Sequence, residues 1–345
     1  MIRNIVAIAL TSALMGCSAG VSAPQSNWTP KAALPQSVAE VGVAELGGNI
    51  YVIGGTEQQG EAQAIYGSTQ NLRYNPAQNT WTKRAPLPQG LTHVGVAALD
   101  GKLYAIGGFR HIIHLDPQTS AFVYDPKTDT WGKLADISSA RGSVAAAAVD
   151  GKLHIFGGRI SDEVVQIPTP PGAPEFYQGF GTVTTHQIYD PATSKWSQGA
   201  PLPGPGRDHL GIAVLGGKVH VFGGRTKDTV DNVDRHDVYD PVTDTWTAAA
   251  PLPVPRSSGA ATVLNGQILY AGGECKTDEE AGTENTFADV TAYNPKTDSW
   301  ATLTPLPQAR HAFGAATVNG VAYFPGGALG CGGGALTYTL ALTLE

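Results

Sequence analysis

Four arginines occupy one position of a recurring frame. Arg141, Arg207, Arg256 and Arg310 each stand ten residues before the glycine of a short turn, Gly151, Gly217, Gly266 and Gly320. Eight residues before the same turns stand Ser143, His209, Ser258 and Ala312, and two earlier copies supply Val38 with Glu40 and Leu91 with His93. Side chains two residues apart on an extended strand share a face, so this register predicts a concave site lined by four guanidinium groups and two imidazoles, with Glu40 of opposite character. Clustered guanidinium groups bind carboxylate, sulfate or phosphate through forked hydrogen bonds even in an acidic chain. The competing role for each arginine is to bond neighbouring backbone and loops, and His93 and His209 also suit a structural role.

A second set follows the glycine pairs that end the adjoining strands. Phe109, Arg110, Arg159, Arg225 and Glu274 would add to the rim of the site. Glu274 is the carboxylate placed to exchange protons, the catalytic candidate if the chain is an enzyme. The segment that it opens, Glu274 to Asp289, lacks the D-x-[DN]-x-[DN]-G spacing of a calcium loop and reads as a solvated loop. No metal and no cofactor is expected.

These residues are placed by a phrase written six times: "NIYVIGG", "KLYAIGG", "KLHIFGG", "KVHVFGG", "QILYAGG" and "VAYFPGG". Its copies lie about fifty residues apart, with a longer interval between Gly157 and Gly223 that holds the insertion "QIPTPPGAPEFYQGFG". Trp28, Trp81, Trp131, Trp196, Trp246 and Trp300 march in step, five of them behind turns such as "YDPKTDTW". In those turns proline presets φ and the Asx side chain bonds the backbone just beyond. Each unit therefore reads as four strands: a, a small-residue run; b, entered through Asp-Gly or Asn-Gly and ending in the glycine pair; c, carrying tyrosine; and d, carrying tryptophan. With 43 glycines and 24 prolines, the composition suits many short strands.

Glycine pair, tyrosine and tryptophan in this order resemble the kelch repeat, and six units resemble a six-bladed kelch β-propeller over residues 28–345. The resemblance implies an all-β fold of four antiparallel strands per blade, with strand a innermost around a central channel. The last unit has no tryptophan and the chain opens with an unpartnered d strand, so the N-terminal strand is expected to complete the last blade. The b–c and d–a loops are long and different in every blade, which places any site on their face.

Among proteins the chain resembles, the copper enzymes of the galactose-oxidase kind use a ligand set that cannot be assigned here, and the iron-binding kelch proteins of glucosinolate breakdown use an acidic spacing absent here. The exported sialic-acid mutarotases (N-acetylneuraminate epimerases) match in architecture. In that reading Glu274 is acid–base and Arg207, Arg256 and Arg310 hold the sugar carboxylate.

The first residues are a separate text. Arg3 precedes an apolar run from Ile5 to Leu14, and Leu14-Met15-Gly16-Cys17 resembles the bacterial lipobox. Residues 1–16 are then a signal peptide, Cys17 the lipidated N-terminus, and residues 17–27 a flexible tether spanning roughly 15–20 Å. The alternative is an ordinary secretory signal cut near Ala19 or Ala23. Either exports the protein; with Ser18 beside Cys17, retention at the outer membrane facing the periplasm is expected. Cys275 and Cys331 remain as an even pair in an oxidising compartment, a candidate disulfide. A net charge of -7 without a basic run excludes nucleic acid as partner. The expectation is a monomeric exported binding or interaction protein that recognises a protein, or an anionic or carbohydrate-like ligand, at the channel mouth; the alternative is a mutarotase of acidic sugars.

Overall fold

Each blade begins with a local instruction. Asp100-Gly101, Asp150-Gly151, Asn265-Gly266 and Asn319-Gly320 have positive φ at both residues, as do Gly47-Gly48 and Gly216-Gly217. That is the requirement of the two-residue turn whose twist matches a right-twisted hairpin. The a and b strands that flank it pair in tight register, Leu99 opposite Lys102 and Gly95 opposite Ile106.

The computed structural model describes residues 26–59, 62–63, 66–111, 114–167, 176–227, 231–278 and 283–344. The signal segment, Cys17 and most of the tether lie outside the described residues, as do 168–175 of the insertion and 279–282 of the acidic loop. Strands a to d of the first blade are Gly42–Leu46, Asn49–Ile53, Asn71–Asn75 and Thr80–Lys83. The pattern repeats in the second blade (a, Gly95–Leu99), the third (Ala145–Val149), the fourth (Gly211–Leu215) and the fifth (Ala260–Leu264). No helix occurs among the described residues. The insertion in the third blade folds as a hairpin of Arg159–Ile167 and Phe176–Thr182.

The sixth blade is built from both ends of the chain. Ala316–Val318, Val321–Ala328 and Thr339–Leu344 supply a, b and c, and Ser26–Pro30 pairs with the c strand as d, Trp28 opposite Leu342. Trp28 also packs edge-on against Phe324 at 5.2 Å. The expected closure is thus realised, and with it the all-β six-bladed propeller.

Two repeated devices join the blades. Each tryptophan Nε1–H donates to a carbonyl that follows the d strand of the preceding blade: Trp81 to Ala32, Trp131 to Ala85, Trp196 to Ala135, Trp246 to Ala200 and Trp300 to Ala250, at 2.8–3.0 Å, and Trp28 to Thr304 at 3.3 Å. The glycine pair is the second device. Gly108, Gly158, Gly224 and Gly273 donate N–H to the carbonyls of Arg141, Arg207, Arg256 and Arg310 at the next blade, at 2.9–3.1 Å. A Cβ on the first glycine of these pairs would fall 2.3–2.5 Å from that same carbonyl oxygen. Side chains are excluded there by backbone.

Candidate functional site

Glu40, His93, Ser143, His209, Ser258 and Ala312, the six residues eight positions before the hairpin glycines, all have φ between 50° and 60°. Their backbones are linked from blade to blade: Glu40 donates to Ala312, His93 to Glu40, Ser143 to His93, Ser258 to His209 and Ala312 to Ser258, at 2.8–3.0 Å. At the remaining junction the Ser143 hydroxyl stands 3.4 Å from His209 Nε2. The positive φ explains a correction. A left-handed residue breaks the alternation of an extended strand, so the arginines two positions earlier do not share its face.

Arg141, Arg207, Arg256 and Arg310 are instead fully buried inside the blades. Arg207 donates to the Gly223 carbonyl at 3.0 Å and to Asp237 at 2.5 Å. Arg256 donates to the carbonyls of Asp289 and Tyr270 and to the Thr291 hydroxyl, with its guanidinium over the Tyr270 ring at 4.6 Å. Arg310 donates to the Gly326 and Phe324 carbonyls, and Arg141 to the Ser139 hydroxyl. The carbonyl of each receives the preceding blade while the guanidinium grips its own. The expected guanidinium-lined mouth gives way to four internal clamps.

The residues after the glycine pairs do meet at the mouth. Asp208, wholly buried, accepts from Arg159, from Arg225 Nε at 3.2 Å and stands 2.9 Å from His209 Nδ1. Arg225 Nη1 reaches Glu274 at 2.8 Å and its Nη2 stands 3.2 Å from His209 Nε2. Glu274 continues to His311 Nδ1 at 3.0 Å and accepts from the Gly332 amide at 3.1 Å. His93 Nε2 lies 3.1 Å from Glu40, and its ring is 4.7 Å from His114 and 5.0 Å from His209. Phe109 is buried beside them, whereas Arg110 stays exposed against Asp116.

Burial alone would raise the Glu274 carboxyl, but His311 and Arg225 hold it well below the usual range. Asp208 is held down in the same way by Arg159, His209 and Arg225 against the cost of burial. His311 goes the other way: burial would lower it, and Glu274 and Glu40 raise it. Burial, reinforced by Arg225, brings His209 down to about 4. Arg159, Arg225 and His311, whose charged form the neighbouring Glu274 and Glu40 favour, face three carboxylates, Asp208, Glu40 and Glu274. Glu274 is therefore ionised at neutral pH: a proton acceptor, and not a donor.

Cys275 and Cys331 are joined as a disulfide, Cα–Cα 5.4 Å, tying the b–c loops of the last two blades beside Glu274. Sequence reasoning passed over Asp208, His114 and His311. Asp208 and His311 sit nine residues before their hairpin glycines, between two positions already singled out. That register pairs directly with the residue after the glycine pair, as in Asp208 with Arg225 and Ser257 with Glu274. His114 belongs to a loop outside the repeat and has no such signal.

A family model described as the KLHDC2/KLHL20/DRC7 Kelch-repeats domain matches residues 181–327, and the Kelch motif matches residues 90–137. The chain is similar to Kelch-like protein terF of Aspergillus terreus, 30% identical over 304 residues, 84% of this chain and 61% of that protein. It is also similar to human Kelch-like protein 35, 39% identical over 199 residues, 57% of this chain and 28% of that one. The chain thus spans less than two thirds of either relative. The solved structure of YjhT is similar in fold, with a TM-score of 0.70 and 19% identity, over 91% of this chain and 99% of its own. Matched by two kelch models and carrying the glycine pair six times around a closed ring, the chain belongs to the kelch-repeat β-propeller family.

Proposed function

We propose that the protein is an exported binding module that docks a protein partner on the face of the channel mouth. The observation that carries this reading is the placement of exposed apolar side chains. Of the eight large ones among the described residues, seven (Tyr66, Val164, Val165, Tyr177, Val254, Leu329 and Tyr338) stand on b–c and d–a loops of that face. Val242 alone lies on the opposite turns. Exposed apolar groups gathered on one face mark interaction surfaces, and kelch propellers commonly serve as interaction scaffolds. The charge-balanced mouth favours a protein over a small anion, because its guanidinium groups already hold carboxylates.

Export follows from the lipobox-like Leu14 to Cys17, with Cys17 lipidated and the propeller, residues 28–345, held at the outer membrane as a monomer. Among the described residues no helix is long and apolar enough to cross a membrane. Radiolabelled palmitate incorporated by the wild type and lost in Cys17→Ser supports the anchor; equal labelling rejects it.

The docking reading is tested by cross-linking pull-down from envelope extract with Val164→Glu/Tyr177→Glu against Val242→Glu. Capture of the same protein by wild type and Val242→Glu, and its loss in the first variant, supports the reading. Equal capture by all three rejects it. The second reading, mutarotation of sialic acid or another acidic sugar, draws on the Glu274–His311 pair as a coupled base and acid. NMR-followed anomer equilibration, accelerated by wild type and not by Glu274→Gln, would favour it over docking.

A further inference from the structure

We propose that His93, His114 and His209 form a binding site for one divalent transition-metal ion of the zinc class. The three rings come from separate elements: the lead into the second blade, the b–c loop of that blade, and the lead into the fourth. They converge with centroids 4.7, 5.0 and 5.2 Å apart, mutually edge-on at 64°, 81° and 90°. One nitrogen from each lies within 4.8 Å of the others. Ligand nitrogens around a tetrahedral zinc at about 2.0–2.1 Å stand about 3.3 Å apart, so a small ring movement closes the set.

An independent observation points to a ligand. His114 is 6% exposed, and neither of its ring nitrogens has a hydrogen-bond partner. Buried polar atoms are ordinarily satisfied, and the His114 ring lies among two other imidazoles and Phe109 with no partner for either nitrogen, a want that a bound cation would meet.

The surrounding contacts orient the ligands. His209 Nδ1 bonds Asp208 at 2.9 Å, which leaves Nε2 with a lone pair, the carboxylate–histidine arrangement that supports metal ligands. His93 Nδ1 lies 3.0 Å from the Thr92 hydroxyl, which leaves its Nε2 for the ion. That Nε2 is 3.1 Å from Glu40 without the alignment of a hydrogen bond, the spacing of two ligands around one ion. Glu40 or a water is thus the fourth ligand. Arg225 Nη2 at 3.2 Å and the Ser143 hydroxyl at 3.4 Å are the contacts of His209 Nε2 that an ion displaces, and Arg225 keeps its bonds to Asp208 and Glu274. Three imidazoles with a carboxylate or water favour zinc, with cobalt(II) as its coloured substitute.

The test is cobalt(II) and zinc titration of tag-free, chelator-stripped protein. The expected result is one equivalent bound, with the visible bands of four-coordinate cobalt bleached by zinc, and a melting temperature raised by metal. His114→Asn, chosen because asparagine tolerates the left-handed backbone at φ 58°, should weaken binding about 100-fold or more. If His114→Asn does not fold, His93→Asn serves in its place. Absence of uptake by the wild type, or one equivalent bound with unchanged affinity in the folded variants, overturns the proposal.

Discussion

The carbonyl oxygen of Arg256 lies 2.5 Å from the point that a Cβ on Gly223 would occupy, and the amide of Gly224 donates to the same oxygen at 3.1 Å. One carbonyl thus explains both glycines of the pair: the first leaves room for it and the second bonds it. The relation recurs at the junctions that lead into the third to the sixth blades.

Gly223→Ala should therefore cost about 3 kcal/mol or more, since a left-handed φ of 60° is compounded by a backbone collision that no rotamer relieves. Gly216→Ala, at φ 61° with nothing within 4 Å of its Cβ, should cost about 1 kcal/mol. Urea unfolding of the pair measures the difference, and equal losses would show that strain alone matters.

Arg256→Lys should destabilise by about 1–3 kcal/mol, because an ammonium cannot reach the Tyr270 and Asp289 carbonyls together with Thr291. Binding of an acidic ligand, measured by calorimetry on the folded variant, should be unchanged. A variant of native stability that loses such binding would return Arg256 to the mouth.

Removal of residues 26–34 should abolish the single cooperative melt and promote aggregation, since it bares the outer edge of residues 340–344 of the c strand and leaves that strand paired only with its b strand. Differential scanning calorimetry and light scattering decide. A truncated protein that melts like the parent contradicts the closure.

Acid should weaken the third and fourth blades. His154 Nδ1 meets His186 Nε2 at 3.0 Å and His220 Nδ1 meets His236 Nε2 at 2.9 Å, all buried. Burial, aided by the partner imidazole in His154 and His220, takes His154, His186 and His220 down to about 4. The folded state thus binds fewer protons than the unfolded one, so stability is whole above about pH 6.5 and falls as pH drops toward 4. The slope of melting temperature against pH in that window should flatten in His154→Gln, and an unchanged slope would assign the acid loss elsewhere.

Reduction of the Cys275–Cys331 bridge, which closes a loop with a sequence separation of 56, should lower stability by about 4 kcal/mol on the chain-entropy account. Melts with and without reductant measure it. Two thiols titrating in the unreduced protein would remove the bridge.

The repeat itself determined the blade count, the hairpin turns and the closure by Trp28. These rest on short-range chemistry: Asn-Gly and Asp-Gly force a turn, and Asx-Pro sets the next one, wherever they occur. Which way Arg207 and His209 point was decided elsewhere. Two residues apart, they part company because the backbone of Asp208 pairs with Arg225 of the same blade, and the left-handed backbone at His209 turns one side chain into its own blade and the other toward His93 in the channel. The meeting of His93, His114 and His209 likewise exists only once the ring has closed, since residues from the second and fourth blades share no local frame. The sequence carries the strands and turns because their causes are local, and the tertiary structure alone decides the site because its contacts run across the channel.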